Sequence, residues 1–591
     1  MENLRLLVLD EIPEDAEFRQ SWNELAQLTE QPQVFYTCEW AIAVQHAYAG
    51  SLKPLIFLAY DGDSLTGVVA LARESKSEAV VFLTGTTADY CDFLSEPGKR
   101  REFIGAVFHE LRDRQVEKIV LANLPADSSS APAISAAASI SGYHLLSRPA
   151  YFCARVVLGS GEQRAALKQS TLAKKMLRRN LRDMEKLAAV RVRHDTCWEE
   201  IEPALQSFQR AHVARFLVTG RISNMVRPER RDFLRELARR LSPCGWVTLS
   251  RLFLGDVAVA WNYGFQFSGS WFWYQPTLDS RYDSFSPGFC LLSKIVETAC
   301  DRPDLEVIDL GLGAEGYKER FATSTRETSH LTLNRSLRRH VEAAGRQRLA
   351  AAGTASPWAE NRIRSLISYG GRWRNRLGKS GFPGLIGWSC RRLWKSLFAT
   401  SEVLFFEWAP SGGRSANGTL RLEALDFDLT AAAAMRHADE PSTLEYLMRC
   451  AQRLRSSDAR GFALVTGDGH PVHFCWAKDF DGFRMDELER TLQAPRPNAT
   501  LVFDCFTPPS SRGNGYFAMA ISLLAGQLHT SGKVPWIFAA ATNHDSVHGI
   551  EKSDFVYRFR LGRKRILFVN RVQDSVPAPQ PAAIAHTASA P

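Results

Sequence analysis

Short apolar runs of strand length alternate with stretches of helical period, and the alternation occurs three times along the chain. In residues 1–150, strand signals at 55–60 and 66–71 flank Asp61-Gly62-Asp63, which predicts a hairpin through an Asp-Gly turn. Further strands are expected at 79–83 and 118–121. A helix is expected over 101–114, and Ser/Ala-rich 128–141 reads as a loop running into a short helix. Residues 151–340 begin with a basic helix carrying Leu177, Leu181, Met184 and Leu187 on one face, followed by helices at 201–215 and 227–241. Strands at 246–253, 256–265 and 270–275 come next. Pro287-Gly288 then opens an apolar helical run to residue 300, and a strand at 307–310 ends in Gly311-Leu312-Gly313. In 401–572 the order returns: strands at 403–408 and 420–425, a helix at 443–456, and strands at 462–466, 473–477 and 482–486. A buried strand at 501–506, a Gly-bearing turn, a helix at 517–528 and a strand at 535–540 complete it.

This pattern predicts an α/β (α+β) chain of mixed, mostly antiparallel sheets flanked by helices. The expected segments are 1–150, 151–337, a connector at 338–400, 401–572 and an Ala/Pro-rich disordered tail at 573–591. With 45% hydrophobic and 23% charged residues, the chain of 591 is not a mostly disordered one. Its 11 cysteines include no Cys-x-x-Cys pair, which argues against a zinc ribbon, a thioredoxin-type site and a secreted disulfide framework. His194, His212, His330 and His340 stand isolated, so no metal is expected, and the lack of a Gly-x-Ser-x-Gly elbow leaves a serine hydrolase unsupported. The first residues lack the basic start and long apolar stretch of a signal peptide, and no run approaches the ~18 apolar residues of a membrane span. The expectation is a cytoplasmic protein.

Charge changes the picture in two places. Residues 338–400 hold 13 Lys and Arg against Glu342 and Glu360, a local excess larger than the net +9 of the whole chain. Trp358, Trp373, Trp388 and Trp394 are interleaved with it. Such a segment is a solvated connector, or a contact for an anionic membrane surface, which would hold the protein peripherally at the membrane's inner face; nucleic acid is a third option, though no recognised binding motif accompanies the charge. The helix from Lys174 to Arg182 has two such readings in miniature, a solvated face or one that faces an anion.

Two constellations carry candidate chemistry. The first is Arg512-Gly513-Asn514-Gly515-Tyr516-Phe517, a strand–turn–helix junction whose backbone N–H groups and helix N-terminus can cradle a pyrophosphate, with Asn543 downstream. These residues resemble the acyl-CoA-binding core of the GNAT acyltransferases. Three positions depart from that pattern: Phe517 replaces a small residue, Ile550 stands where the family commonly has the Tyr that protonates the leaving thiolate, and Asp554 stands where it usually has Gly. The second comprises Asp279 and Tyr282, Pro287-Gly288, and Asp309-Leu310-Gly311-Leu312-Gly313 running on to Tyr317-Lys318. With the basic helix, Phe35-Tyr36-Thr37-Cys38-Glu39-Trp40 and Asp89-Tyr90-Cys91-Asp92-Phe93, it is similar to the CelD/BcsL-like acetyltransferase family of cellulose and exopolysaccharide biosynthesis, over about residues 1–335.

The resemblance implies a tandem GNAT pair, as in Fem-type transferases, plus a third GNAT-like unit. It implies acetyl-CoA or another acyl-CoA as co-substrate, with no metal, and an amine- or hydroxyl-bearing acceptor, a sugar or envelope precursor among the candidates. It assigns Asp309, Tyr317 and Lys318 to catalysis, and Pro287, Gly288, Arg512, Gly513, Gly515 and Asn543 to the cofactor. Two bland readings stand beside it: Asp309 capping a helix, and Lys318 in solvent. The alternatives are an aminoacyl-tRNA-dependent transferase and a non-catalytic scaffold at the membrane surface.

Overall fold

The computed structural model describes residues 4–313, 316–354, 398–410, 420–456, 458–566 and 569–575. Most of the basic connector, with its four Trp residues, and the tail beyond 575 lie outside the described residues. The chain forms two compact units, the first within residues 1–357 and the second within 358–591, except that 217–221 group with the second.

The first unit is built on a single 13-stranded sheet. Its strands are β1 (Leu4–Leu9), β2 (Leu52–Asp61), β3 (Ser64–Glu74), β4 (Val80–Phe82), β5 (Leu94–Ser95), β6 (Lys118–Pro125), β7 (His144–Val157), β8 (Val190–Asp195), β9 (Val247–Leu254), β10 (Val257–Phe267), β11 (Ser270–Leu278), β12 (Val307–Leu312) and β13 (Ser324–Asn334). The spatial order is β1-β2-β3-β4-β6-β13-β7-β12-β11-β10-β9-β8, with β5 paired to β3. All neighbours are antiparallel except two pairs, β4 with β6 and β11 with β12. Each parallel pair is joined by a helix, Arg100–Asp113 and Pro287–Cys300 respectively, since parallel neighbours need a crossover.

One sheet therefore runs through both halves of this unit. The closing strand β13 comes late in the sequence yet pairs along its length with β6 of the N-terminal half and with β7. Residue 150 falls inside β7. The seam is filled by aromatic rings. Phe35 and Trp40, 4.8 Å apart in the N-terminal half, meet Phe272, Phe265 and Tyr274 of the second at centroid distances of 5.1–5.9 Å. Each such pair contributes about 0.5–1.5 kcal/mol beyond its area burial. On the far part of the sheet, helix Pro287–Cys300 buries Phe289, Leu292, Ile295, Val296 and Ala299 against Trp271, Trp273 and Ile308.

The second unit repeats the strand order. Its strands are β14 (Phe398–Trp408), β15 (Leu420–Ala424), β16 (Arg460–Thr466), β17 (Pro471–Asp479), β18 (Arg484–Met485), β19 (Arg490–Thr491), β20 (Ala499–Phe506), β21 (Val534–Ala540), β22 (Phe555–Ile566) and β23 (Val569–Ser575). The main sheet runs β15-β16-β17-β20-β21-β14-β22-β23, the order of β8-β9-β10-β11-β12-β7-β13 with one strand added. Its parallel pair is β20 with β21, joined through helix Tyr516–Thr530.

The predicted elements are present with shifted ends. The strand expected at 482–486 shrinks to the two residues of β18. The basic helix covers Lys175–Glu185, burying Leu177, Asn180 and Met184, so Leu187 falls past its end and is exposed. Sequence reading passes over β7, β8, β13, β22 and helix Phe427–Arg436. Among the described residues no helix is long and apolar enough to cross a membrane.

Candidate active site

Strands β11 and β12 lie parallel for three residue pairs, Ser270 with Val307, Trp271 with Ile308 and Phe272 with Asp309, and then part. A crossover helix starts at the C-terminal end of the strand before it, so the N-terminus of Pro287–Cys300 opens at the same end. The entry to that helix is sharp. Asp279 accepts from the Arg281 N–H at 3.0 Å to set a short turn, Ser286 takes the left-handed conformation (φ 48°), and Pro287 occupies the first helical position. A Cβ built on Gly288 would meet a single atom, Leu278 Cδ2 at 3.5 Å. Neither packing nor backbone geometry demands glycine there.

Asp309 ends the paired segment. Its Oδ1 accepts from the Gly311 N–H at 2.8 Å and its Oδ2 accepts from the Tyr90 hydroxyl at 2.8 Å, so it caps no helix. Gly311 has φ +70°, at a bulge where β12 slips against β7 between Asp309 and Leu312. Asp309 is 3% exposed. Burial raises its affinity for a proton, against the two hydrogen bonds and the nearby Arg155 and Arg326 charges that favour the anion. Arg155 Nε lies 3.9 Å from Oδ2, a charge contact rather than a hydrogen bond. Burial and the Asp309 charge keep the Tyr90 phenol protonated, so it is the donor of the pair.

Lys318 is buried, 5% exposed, not in solvent, and its Nζ donates to the Leu312 carbonyl at 2.8 Å. Tyr317 Oη accepts from Trp273 Nε1 at 3.1 Å, linking the turn after β12 back to β11. Three of the expected residues, Asp309, Tyr317 and Lys318, thus converge where the parallel strands part, at the end where Pro287 and Gly288 begin their helix.

The sequence search for site residues does not single out Asp89, Tyr90, Arg155 or Arg230. Asp89 comes from the N-terminal half and packs against β12: a Cβ on Gly311 would sit 2.6 Å from Asp89 Oδ2. It accepts from the Leu312 N–H, with the charges of Asp309, Lys318 and Arg230 nearby. Burial first, and the neighbouring Asp309 charge second, raise its pKa to about 7. Arg230 donates to the Tyr274 hydroxyl at 2.9 Å, and that hydroxyl donates to the Thr87 carbonyl. The signal available in advance was Asp89-Tyr90-Cys91-Asp92 itself, a polar run inside a buried stretch.

In the second unit, Arg512, Gly513, Gly515 and Asn543 are exposed. Gly513 and Gly515 take positive φ (82° and 72°), Gly515 caps helix Tyr516–Thr530, and nothing lies within 4 Å of a Cβ on either. Arg512 Nε donates to the Thr507 carbonyl at 3.3 Å. The side chain of Asn543 accepts from the Ser546 N–H at 3.2 Å and caps helix His544–Glu551. Phe517 packs on Gly549, where a Cβ would come within 2.6 Å of the ring, and Ile550 is 1% exposed in the core. Among the described residues no His, Cys, Asp or Glu group could hold a metal ion.

Residues 172–319 match the family described as Acetyltransferase (GNAT) domain. Over that stretch the chain is similar to a GNAT domain. The match spans the helix start at Pro287, Asp309 and Lys318, and stops short of the N-terminal half that supplies Asp89. No curated protein matches the chain. Among solved structures, FemX is similar at 8% identity over 53% of this chain and 95% of its own, with a TM-score of 0.38. L-PGS from Bacillus licheniformis is 12% identical over 56% of this chain and 96% of its own, TM-score 0.36. A tandem GNAT protein from the clavulanic acid biosynthesis pathway is 12% identical over 56% and 99%, TM-score 0.34. Likenesses this distant say nothing of substrate.

Proposed function

We propose that the protein is an acyl-CoA-dependent N- or O-acyltransferase whose site is the opening between β11 and β12. The observation that carries this reading is the convergence of Asp309, Tyr317 and Lys318 at the point where the parallel strands part, beside the helix start at Pro287-Gly288. The free N–H groups at a helix N-terminus and their positive potential suit the CoA pyrophosphate. Strands that diverge leave backbone groups unpaired with each other, and N–H donors there can hold a thioester carbonyl as charge develops on its oxygen. The acceptor amine or hydroxyl attacks directly. A sugar or envelope precursor is the acceptor class we propose, from the resemblance to the exopolysaccharide family.

Lys318, fixed on the Leu312 carbonyl, supplies positive charge behind the same loop. In the second unit, the open Gly513–Gly515 turn is a further anion cradle. There Asn543 is committed to capping and Ile550 is sealed in the core, which favours a binding role over a catalytic one.

Isothermal titration of the full chain with acetyl-CoA tests the reading. Wild type binds, and Gly288→Glu abolishes the heat while far-UV circular dichroism stays unchanged. Lys318→Ala lowers thioester turnover at least about tenfold, or about 1.4 kcal/mol of barrier, at unaltered melting temperature. Absence of acetyl-CoA binding to wild type overturns the assignment.

A further inference from the structure

Two carboxyl groups meet at the opening between β11 and β12, and they are not equivalent. Both oxygens of Asp309 are occupied, one by the Gly311 N–H and one by the Tyr90 hydroxyl, and its surface is closed. Asp89 is half-buried and keeps part of its surface open. Its backbone partner is the Leu312 N–H, its carboxylate lies against the bare Cα of Gly311, and the Trp273 carbonyl of β11 is 3.5 Å from the same Cβ position. Asp89 therefore stands where the two strands separate, and it does so only because residue 311 is glycine.

We propose that Asp89, contributed by the N-terminal half, is the proton acceptor for the attacking nucleophile, with Asp309 its positioning partner. This rests on the acyl-transfer reading above and deepens it: the reaction site is assembled from both halves of the first unit. As the lone pair of an acceptor N–H or O–H attacks the thioester carbonyl carbon, the acceptor's proton passes to an Asp89 oxygen. The new C–N or C–O bond forms, the C–S bond breaks, and its electron pair leaves on the CoA sulfur, which takes the proton back from Asp89. No oxidant or metal is needed, and acyl-CoA is the one co-reactant.

The groups facing Asp89 suit this work. Asp309 on β12 disfavours a second negative charge nearby. Lys318 after β12 and Arg230 on helix Pro228–Leu241 oppose it. Tyr274 on β11, Cys153 on β7 and the adjoining Cys91 are neutral and held protonated by burial. The balance leaves Asp89 with a pKa of about 7, where a carboxyl both takes and returns a proton at neutral pH. Its conjugate acid can also serve the leaving thiolate, a task that falls to Tyr in the pattern the second unit resembles.

The test uses the full-length chain with acetyl-CoA, reading free thiol release from pH 5 to 9 with water and a panel of primary amines and amino sugars as acceptors. Asp89→Asn is isosteric and removes a buried charge beside another carboxylate, so it folds. We expect at least a hundredfold loss of kcat, unchanged acetyl-CoA affinity by titration, and loss of the ascending limb near pH 7. Asp309→Asn keeps that limb but moves it to lower pH, because Asp89 loses its negative neighbour. A second measurement does not need turnover: ¹³C-carboxyl NMR of the acetyl-CoA-bound chain should show one aspartate titrating near pH 7 that vanishes in Asp89→Asn. Asp89→Asn with wild-type rate and pH profile, or no aspartate titrating above pH 6, overturns the proposal while leaving acyl transfer intact. Failure of wild type to bind acetyl-CoA removes both.

Discussion

Buried ionisable side chains set the pH behaviour of this protein. His473 on β17 is fully buried, with Nδ1 and Thr507 Oγ1 2.8 Å apart, and burial lowers its pKa from the ordinary 6.5 to about 3. The neutral ring is the folded form, whereas the unfolded chain takes up a proton below about pH 6.5. The unfolded state thus binds more protons between pH 6.5 and 3, and stability falls as pH drops through that window. From pH 6.5 to 5 the loss is about 2 kcal/mol at 1.36 kcal/mol per unit. Urea unfolding of the full chain at the two pH values should show that loss in wild type and a smaller one in His473→Gln. Equal losses would mean that His473 is not the group that titrates. Lys318 gives the opposite lesson about reading residues singly. A Lys after a Tyr in a turn suits solvent as well as a site, and only its 5% exposure and its bond to the Leu312 carbonyl decide for the interior.

At the scale of elements, the bulged end of β12 couples fold to site. Gly311 must adopt φ +70° and must leave room for Asp89. Gly311→Ala meets both costs, the left-handed backbone at about 1 kcal/mol or more and a contact of 2.6 Å with a carboxylate oxygen. We expect a stability loss of about 2 kcal/mol and a displaced Asp89, read together as a lowered melting temperature and loss of thioester turnover. By contrast Gly313, with φ +99° and nothing within 4 Å of its Cβ, carries the backbone cost alone, so Gly313→Ala should destabilise less. The strands missed in sequence share one cause. β13 reads Ser-Thr-Arg-Glu-Thr-Ser-His-Leu-Thr-Leu-Asn and β22 interleaves Arg and Lys with its apolar positions, so neither offers a contiguous apolar run. Long pairing with β6 and β7 in one case and β14 in the other makes them strands despite their composition.

Across the whole molecule, charge is the property that the local pattern reports best. The excess within 338–400 is carried by residues that lie mostly outside the described structure, and its partner is argued from composition: Arg and Trp together suit an anionic headgroup layer. The full chain should sediment with vesicles in proportion to their anionic lipid, and the binding should weaken as salt shortens the ~10 Å screening length at 0.1 M. Equal sedimentation with neutral vesicles would remove the electrostatic argument. The exposed cations Lys175, Arg178, Arg179 and Arg182 on the basic helix offer a second anionic surface, within the first unit.

A family resemblance marked Asp309, Tyr317 and Lys318 as candidates; the amino-acid sequence alone determined the rhythm of strands and helices, the helix start at Pro287-Gly288 and the Gly-bearing turn at Gly513 and Gly515. Those are local features, written in side-chain period and in the backbone freedom of single residues. Tertiary structure decided the rest. It joined two halves into one sheet by carrying β13 back to β6, committed Asn543 to a helix cap, and set Tyr90 against Asp309 across 219 residues of chain. It also placed Asp89 in the gap left by Gly311. No periodicity records such a meeting, because the two carboxyl groups come together only when β12 and the segment carrying Asp89 pack in one body, and that packing is paid for by apolar and aromatic contacts far from both.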